Sequence, residues 1–209
     1  MALSVLRQNV DRVPSQTLVE YIDRSLANVG RMEYLLKSLK SFSMHQSVEL
    51  KKVSLVEFMD RFISLVERDF DAQGIRIRTV IPLNLEPVLI DEQALHQALL
   101  NVFTNAAEAL KDKLSAEISI SAEPKGALVR LTVADNGEGI SAEQMKYLFQ
   151  PFNTSKAEGN GLGLVISRKL LALMDSDIEV QSQSGQGVQV VIRLPLAQTP
   201  HSQKKCPKK

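Results

Sequence analysis

Asn101 and Asn105 stand four residues apart in the run Asn101-Val-Phe-Thr-Asn105-Ala-Ala-Glu108. The surrounding Leu95, Leu99, Val102, Phe103, Ala106 and Leu110 recur at helical spacing, so the pair lies in mid-helix. Asparagine is a poor helix-interior residue because its carboxamide competes with the backbone for hydrogen bonds. Residues at i and i+4 share a helix face. Carboxamide oxygens suit a hard cation such as Mg, which keeps several waters and bridges phosphates. Taken alone, the pair fits better a polar helix face hydrogen-bonded to a loop.

Two glycine-rich runs follow. In Val133-Ala-Asp135-Asn-Gly137-Glu-Gly139-Ile140 a strand delivers a carboxylate into a turn. A carboxylate there can accept a hydrogen bond from an exocyclic amine, and the glycines let the backbone approach a flat ring. Asp-Asn-Gly is also ordinary turn chemistry. The second run is Phe149-Gln-Pro-Phe152-Asn-Thr154-Ser-Lys156-Ala-Glu-Gly159-Asn-Gly161-Leu162-Gly163-Leu164. Glycines ahead of a helix start leave amide N–H groups to hold phosphate, and Lys156 adds a charge for the same group. The Gly-x-Gly-x-Gly spacing differs from the dinucleotide fingerprint, and no strand–helix–strand unit surrounds it.

The elements that carry these runs can be read from periodicity. Ser15 to about Met44 reads as one long amphipathic helix with Leu18, Ile22, Leu26, Val29, Leu36, Leu39 and Phe42 on a stripe. Such a helix needs a partner to cover its stripe, and its length and polar back face point to a dimer bundle. Residues 45–53 read as a polar connector. Ser54 with Glu57 opens a helix to about Phe70, with Leu55, Phe58, Phe62 and Leu65 on one face. Strands follow at 75–81 and 87–90. The asparagine helix spans about 92–111, capped by Asp91. A hairpin of 116–122 and 127–134 turns at Lys125-Gly126. Ser141 with Gln144 opens a helix to about Phe149, and another runs from Gly163 to Met174. Strands 178–183 and 188–194 close the domain around Gly185 and Gly187. This order predicts an α+β, two-layer sandwich: a mixed sheet with helices on one face, preceded by a long helix. The divisions are 1–47 as the long-helix region, 48–197 as the sandwich domain, and 198–209 as a disordered basic tail.

Composition narrows the function classes. The 209 residues suit one medium domain with an appendage, and 44% apolar residues provide an ordinary core. A formal net charge of +1 implies no strong field toward nucleic acid or an anionic membrane. The absence of tryptophan disfavours base-stacking platforms. No apolar run reaches the ~18 residues of a membrane span. One cysteine, Cys206, cannot form an internal disulfide, which points to a cytoplasmic setting. A membrane-anchored sensor upstream remains compatible with this.

Together, the three runs resemble the nucleotide-binding boxes of the GHKL (Bergerat) superfamily, which contains histidine kinases, gyrase-type topoisomerases, MutL and the heat-shock chaperones. The resemblance covers roughly Ser54 to Leu196. It extends to Ser184-Gly-Gln-Gly-Val-Gln-Val-Val-Ile-Arg-Leu-Pro195, similar to the last hairpin of histidine kinases. It implies ATP and Mg as cofactors. Asn105 resembles the Mg ligand, and Asn101 its companion toward the phosphates. Asp135 resembles the adenine-amine acceptor, with Gly137 and Gly139 shaping the pocket. Thr154, Lys156, Gly159, Gly161, Leu162, Gly163 and Leu164 resemble a short nucleotide lid, like that of the nitrogen-regulation sensor kinases. Asn101 and Lys156 are thereby implied as catalytic.

The ATPases of the superfamily carry a glutamate where this chain has Asn101, and without that base water is poorly activated. Transfer to a protein nucleophile is therefore the expected chemistry. Asn28-Val-Gly-Arg-Met-Glu-Tyr-Leu-Leu resembles the second helix of the histidine-kinase dimerisation hairpin. This implies a homodimer through the N-terminal helix and a response-regulator receiver domain as partner. Of the three histidines, His45, His96 and His201, none lies in the phosphoacceptor context. The acceptor helix is expected upstream. A histidine-less ATP-binding regulatory partner and a serine kinase resembling the anti-sigma factors are the alternatives.

Overall fold

The computed structural model describes residues 14, 17–26, 29, 48–153 and 161–197. Residues 17–26 are helical, and Ser25 Oγ donates to the Tyr21 carbonyl at 2.8 Å. Ile22, Leu26 and Val29 of the apolar stripe are exposed. The remainder of the expected Ser15–Met44 helix and the tail from Gln198 lie outside the described residues. Residues 48–153 and 161–197 belong to one compact unit, and 17–26 to another.

The larger unit runs β1 (Lys51–Val53), α1 (Leu55–Asp71), β2 (Arg76–Val80), β3 (Val88–Ile90), α2 (Glu92–Ala109), β4 (Glu117–Lys125), β5 (Leu128–Asp135), α3 (Ala142–Met145), α4 (Gly163–Ala172), β6 (Asp177–Ser182) and β7 (Val188–Pro195). The main sheet has the order β2-β4-β5-β7-β6. Its β2–β4 pair is parallel and the others are antiparallel, so the sheet is mixed. β1 pairs with β3 in a separate ribbon. That ribbon departs from the expected connector at 45–53, because three residues are too few for alternation to show in sequence.

The period of two divides the sheet into faces. Val129, Leu131 and Val133 of β5 are buried beside Ile120 and Ala122 of β4 and Val190, Ile192 and Leu194 of β7. This apolar face meets the helices. Continuing the period, Asp135 points to the same side. The opposite face carries Arg130 paired with Glu123 at 3.4 Å, and Arg193 bridging Asp177 at 3.1 Å and Glu179. Hydrogen bonds from Gln181 and then Arg193 hold the Glu179 carboxyl below its ordinary range.

Ser54 caps α1, accepting from the Glu57 amide at 3.4 Å. Leu55, Phe58, Met59, Phe62, Val66 and Phe70 are buried along it. Each contributes roughly 1.5–3 kcal/mol relative to exposure. Leu65, expected inside, is 68% exposed. At 3.6 residues per turn it sits about 140° from Phe70, outside a stripe that drifts as the helix advances. Phe62 packs edge-on to Phe103 at 5.0 Å and to His96 at 5.3 Å, joining α1 to α2.

The helix expected from Ser141 to Phe149 is only Ala142–Met145. Its capping box with Gln144 is complete. Beyond it, Tyr147, Leu148 and Gln150 N–H groups reach carbonyls three residues back, a tighter winding than α.

Candidate nucleotide-binding site

α2 is the spine of the site. Asp91 caps its start, accepting from Gln93 and Ala94 amides at 2.9 and 3.0 Å. Asn101, Asn105 and Ala109 then follow at i, i+4 and i+8, so all three lie along one face. The two glycine-rich runs meet this face at different heights.

At the upper end, a Cβ on Gly137 would fall 2.8 Å from the Ala109 carbonyl and 3.0 Å from its Cβ. Only glycine lets the Asp-Asn-Gly turn come this close to the end of α2. Asn136 holds the turn from the other side. Its Nδ2 donates to the Ser115 carbonyl at 2.8 Å and its Oδ1 accepts from the Glu117 amide at 3.0 Å. The Asp135 Oδ1 accepts from the Gly137 and Val188 amides at 2.9 and 3.3 Å, which sets the plane of its carboxylate.

At the lower end, α4 lies against Asn101. The buried Asn101 donates from Nδ2 to the Gly163 carbonyl at 2.9 Å and to Ser167 Oγ at 3.1 Å. Its Oδ1 accepts from Gln97 Nε2 at 3.3 Å. Asn105 is half-buried and sits one turn along, between the two contacts. By the 1.5 Å rise, Gly163 and Gly137 meet α2 at levels about 12 Å apart.

Asn101 thus directs both amide protons into α4. The backbone at Leu162 precedes that helix with no side-chain cap, whereas Ser54, Asp91 and Ser141 cap the other three described helices of this unit. Gly161, at φ +66°, abuts the backbone of Phe152 and Asn153. Leu162 is buried, and Gly163 and Leu164 are partly exposed at the start of α4. Arg168 of α4 lies over the Phe149 ring at 5.1 Å. Thr154, Lys156 and Gly159 lie outside the described residues.

The last hairpin packs on the turn that follows Asp135. The Gly185 amide donates to the Glu138 carbonyl at 2.6 Å, and the Ile140 amide donates to Ser182 Oγ at 2.8 Å. Ser182 in turn donates to the Gly187 carbonyl at 2.7 Å. Gly139 (φ +73°) sits against the Gln183 carbonyl. Ser182 and Ser167 had no sequence signal, since isolated serines in a strand and a helix belong to no pattern. His96 is half-buried against Phe62, as a packing residue.

This fold and site define a class of protein, and comparison with known proteins agrees. Residues 90–198 match the family described as histidine kinase-, DNA gyrase B-, and HSP90-like ATPase. The chain belongs to that family. It is 31% identical over 166 residues to the sensor histidine kinase ZraS of Escherichia coli strain K12, covering 79% of this chain and 35% of ZraS. It is 31% identical over 201 residues to the sensory histidine kinase/phosphatase NtrB of Rhizobium leguminosarum bv. phaseoli, covering 88% of this chain and 50% of NtrB. The chain therefore spans a third to a half of these relatives. Its fold is similar to that of the histidine kinase ThkA solved in complex with the response regulator TrrA. That match has a TM-score of 0.76 and 23% identity, and covers 94% of this chain and 57% of ThkA. The domain is of the sensor histidine kinase catalytic kind.

Proposed function

We propose that this chain binds Mg-ATP between α2, the Asp135 turn and the start of α4, and serves a two-component sensor kinase as its phosphoryl-donating part. The observation that carries the reading is the placement of both glycine-rich runs against one face of α2, with Asn105 between them.

Bound there, Mg-ATP supplies the γ-phosphoryl group and the divalent charge that neutralises it. Asp135 accepts the adenine exocyclic amine, its carboxylate aimed by the Gly137 and Val188 amides. Gly137 and Gly139 let the turn approach the ring. Asn105 offers its carboxamide oxygen to the cation. Among the described residues no group of three or more His, Cys, Asp or Glu could hold a metal ion. Asn105 would thus be one oxygen ligand of a cation that characteristically keeps several waters and bridges phosphates. The amides at the start of α4 face the phosphates; Thr154, Lys156 and Gly159, outside the described residues, are proposed for the same phosphates from their sequence pattern alone. Asn101 holds that start in place, and a carboxamide is too weakly basic to take a proton from water. This supports phosphoryl transfer to a protein imidazole over hydrolysis.

Residues 1–47 form the dimerisation region, 48–197 the ATP-binding domain and 198–209 a basic tail. The exposed Ile22, Leu26 and Val29 pair with a second copy of the helix. A response-regulator receiver domain is the partner this reading implies, and ThkA was solved in complex with the response regulator TrrA. Among the described residues no helix is long and apolar enough to cross a membrane.

The direct test is calorimetry with Asp135→Asn. The amide keeps an oxygen for the Gly137 and Val188 N–H groups, but its NH2 cannot accept the adenine amine. ATP affinity should fall by about 1–3 kcal/mol with little change in melting temperature. Unchanged affinity would remove Asp135 from the adenine site.

A further inference from the structure

Packing α4 on α2 needs no polar group, yet Ser167 is 0% exposed between them. Its hydroxyl accepts from Asn101 Nδ2 at 3.1 Å. Its single proton is directed between the Gly163 carbonyl at 3.0 Å and the Ala98 carbonyl of α2 at 3.4 Å. The nearer carbonyl is one turn back on its own helix, a bond that serine in a helix commonly makes. The second Asn101 proton goes to that same Gly163 carbonyl. Two side chains thus converge on one backbone oxygen, the first of α4, two residues after the positive-φ Gly161. Ala98, Leu99, Leu170 and Leu171 in the same two helices are buried, so losing any partner leaves an unsatisfied polar group in an apolar setting. The triangle therefore has one stable geometry. It fixes the direction of the first α4 turn relative to Asn105, one turn along α2.

We propose that Ser167 is a positioning residue for the phosphate groups of the nucleotide: through Asn101 it locks the start of α4 to the helix that carries Asn105. The inference rests on the Mg-ATP reading above. Ser167 touches no substrate and acts by keeping the amides of α4 and the carboxamide of Asn105 in a fixed relation before ligand arrives.

The test uses the full 209-residue chain with Ser167→Ala, Asn101→Ala and the double variant, titrated separately with Mg-ATP and adenosine, alongside thermal melting. Ser167→Ala should weaken Mg-ATP about tenfold, the scale of one broken buried hydrogen bond, and leave adenosine affinity unchanged. The double variant should bind Mg-ATP no more weakly than Asn101→Ala, because both changes break the same connection. Ser167→Cys, with similar volume and a weaker donor, should fall between wild type and Ser167→Ala. It supplies the measurement if Ser167→Ala melts below the assay temperature. Equal losses for Mg-ATP and adenosine would overturn the positioning role, leaving Ser167 as a packing residue. Additive losses in the double variant would also overturn it. Failure of the wild-type chain to bind Mg-ATP, with Asp135→Asn indistinguishable from it, would instead overturn the nucleotide reading on which the inference rests.

Discussion

Gly187 lies directly against the backbone carbonyl of Asp135, closer than any Cβ could be accommodated. The contact joins the last hairpin to the Asp135 turn, which lies well before it in the sequence. Gly187 has φ +81°, and the next residue, Val188, donates its amide to the Asp135 carboxylate. Gly185 has the same φ but open space around it. Substitution to alanine should separate the two effects. Gly185→Ala should cost about 1–2 kcal/mol from the left-handed backbone alone, a melting decrease of roughly 2–8 °C for a chain of this size. ATP affinity should be retained. Gly187→Ala should melt lower still and lose ATP affinity, because the added carbon must displace Asp135. Equal melting temperatures and equal affinities in the two variants would contradict the contact.

Asn105 carries a separate expectation. Asn105→Ala should reduce the Mg dependence of ATP affinity by about 1.5–3 kcal/mol, the scale of one bond to a charged group. Asn105→Asp should keep part of it, since carboxylates are also good Mg ligands. Titrations with ATP at several Mg concentrations provide the measurement. Normal Mg dependence in both variants would move the ligand elsewhere.

The interior of α1 distinguishes a pattern visible in sequence from one that needs tertiary structure. Phe62→Ala should cost about 3–5 kcal/mol, since Phe62 is fully buried against Phe103 and His96. Leu65→Ala should stay within about 0.5 kcal/mol, as at an ordinary surface position. Chemical denaturation of both variants tests this. A large loss at Leu65 would mean that a partner covers it in solution.

Much of the architecture was legible because it rests on local rules. The alternation of β5 announced the strand and, carried two residues past Val133, put the Asp135 side chain on the helix face. Asn101 and Asn105 at i and i+4 declared a shared face whatever their neighbours. Ser54, Asp91 and Ser141 announced three helix starts by side-chain capping. Other features depended on contacts between distant segments. β1 has three residues, and only its pairing with β3 makes it a strand. The turn after Met145 tightens instead of continuing as helix, which the Ser141 capping box cannot signal. The direction of Asn101 into α4 was hidden because Gly163 and Ser167 are far away in sequence. The same holds for Ser182, which ties Ile140 to Gly187.

Catalytic outcome is the remaining prediction. His96 is half-buried against Phe62 on α2, where an imidazole is a packing group and not an exposed nucleophile. His45 and His201 lie outside the described residues. Neither stands in a phosphoacceptor context in the sequence. The acceptor imidazole is therefore expected to come from another segment or chain. Incubated alone with γ-labelled ATP, these 209 residues should bind nucleotide without acquiring acid-labile label. Adding a histidine-bearing dimerisation hairpin from a related sensor kinase should produce such label slowly, since tethering normally supplies the effective concentration. Phosphate release should be slow in both cases. Asn101, which the family resemblance sets where the ATPases carry a glutamate, is a carboxamide too weakly basic to activate water. Label on the isolated chain that survives in His96→Gln would point to His45 or His201 as a true acceptor. Rapid phosphate release without any acceptor would place the chain with the hydrolytic members of its family. Acid-stable label on a serine of an added partner would favour the serine-kinase alternative.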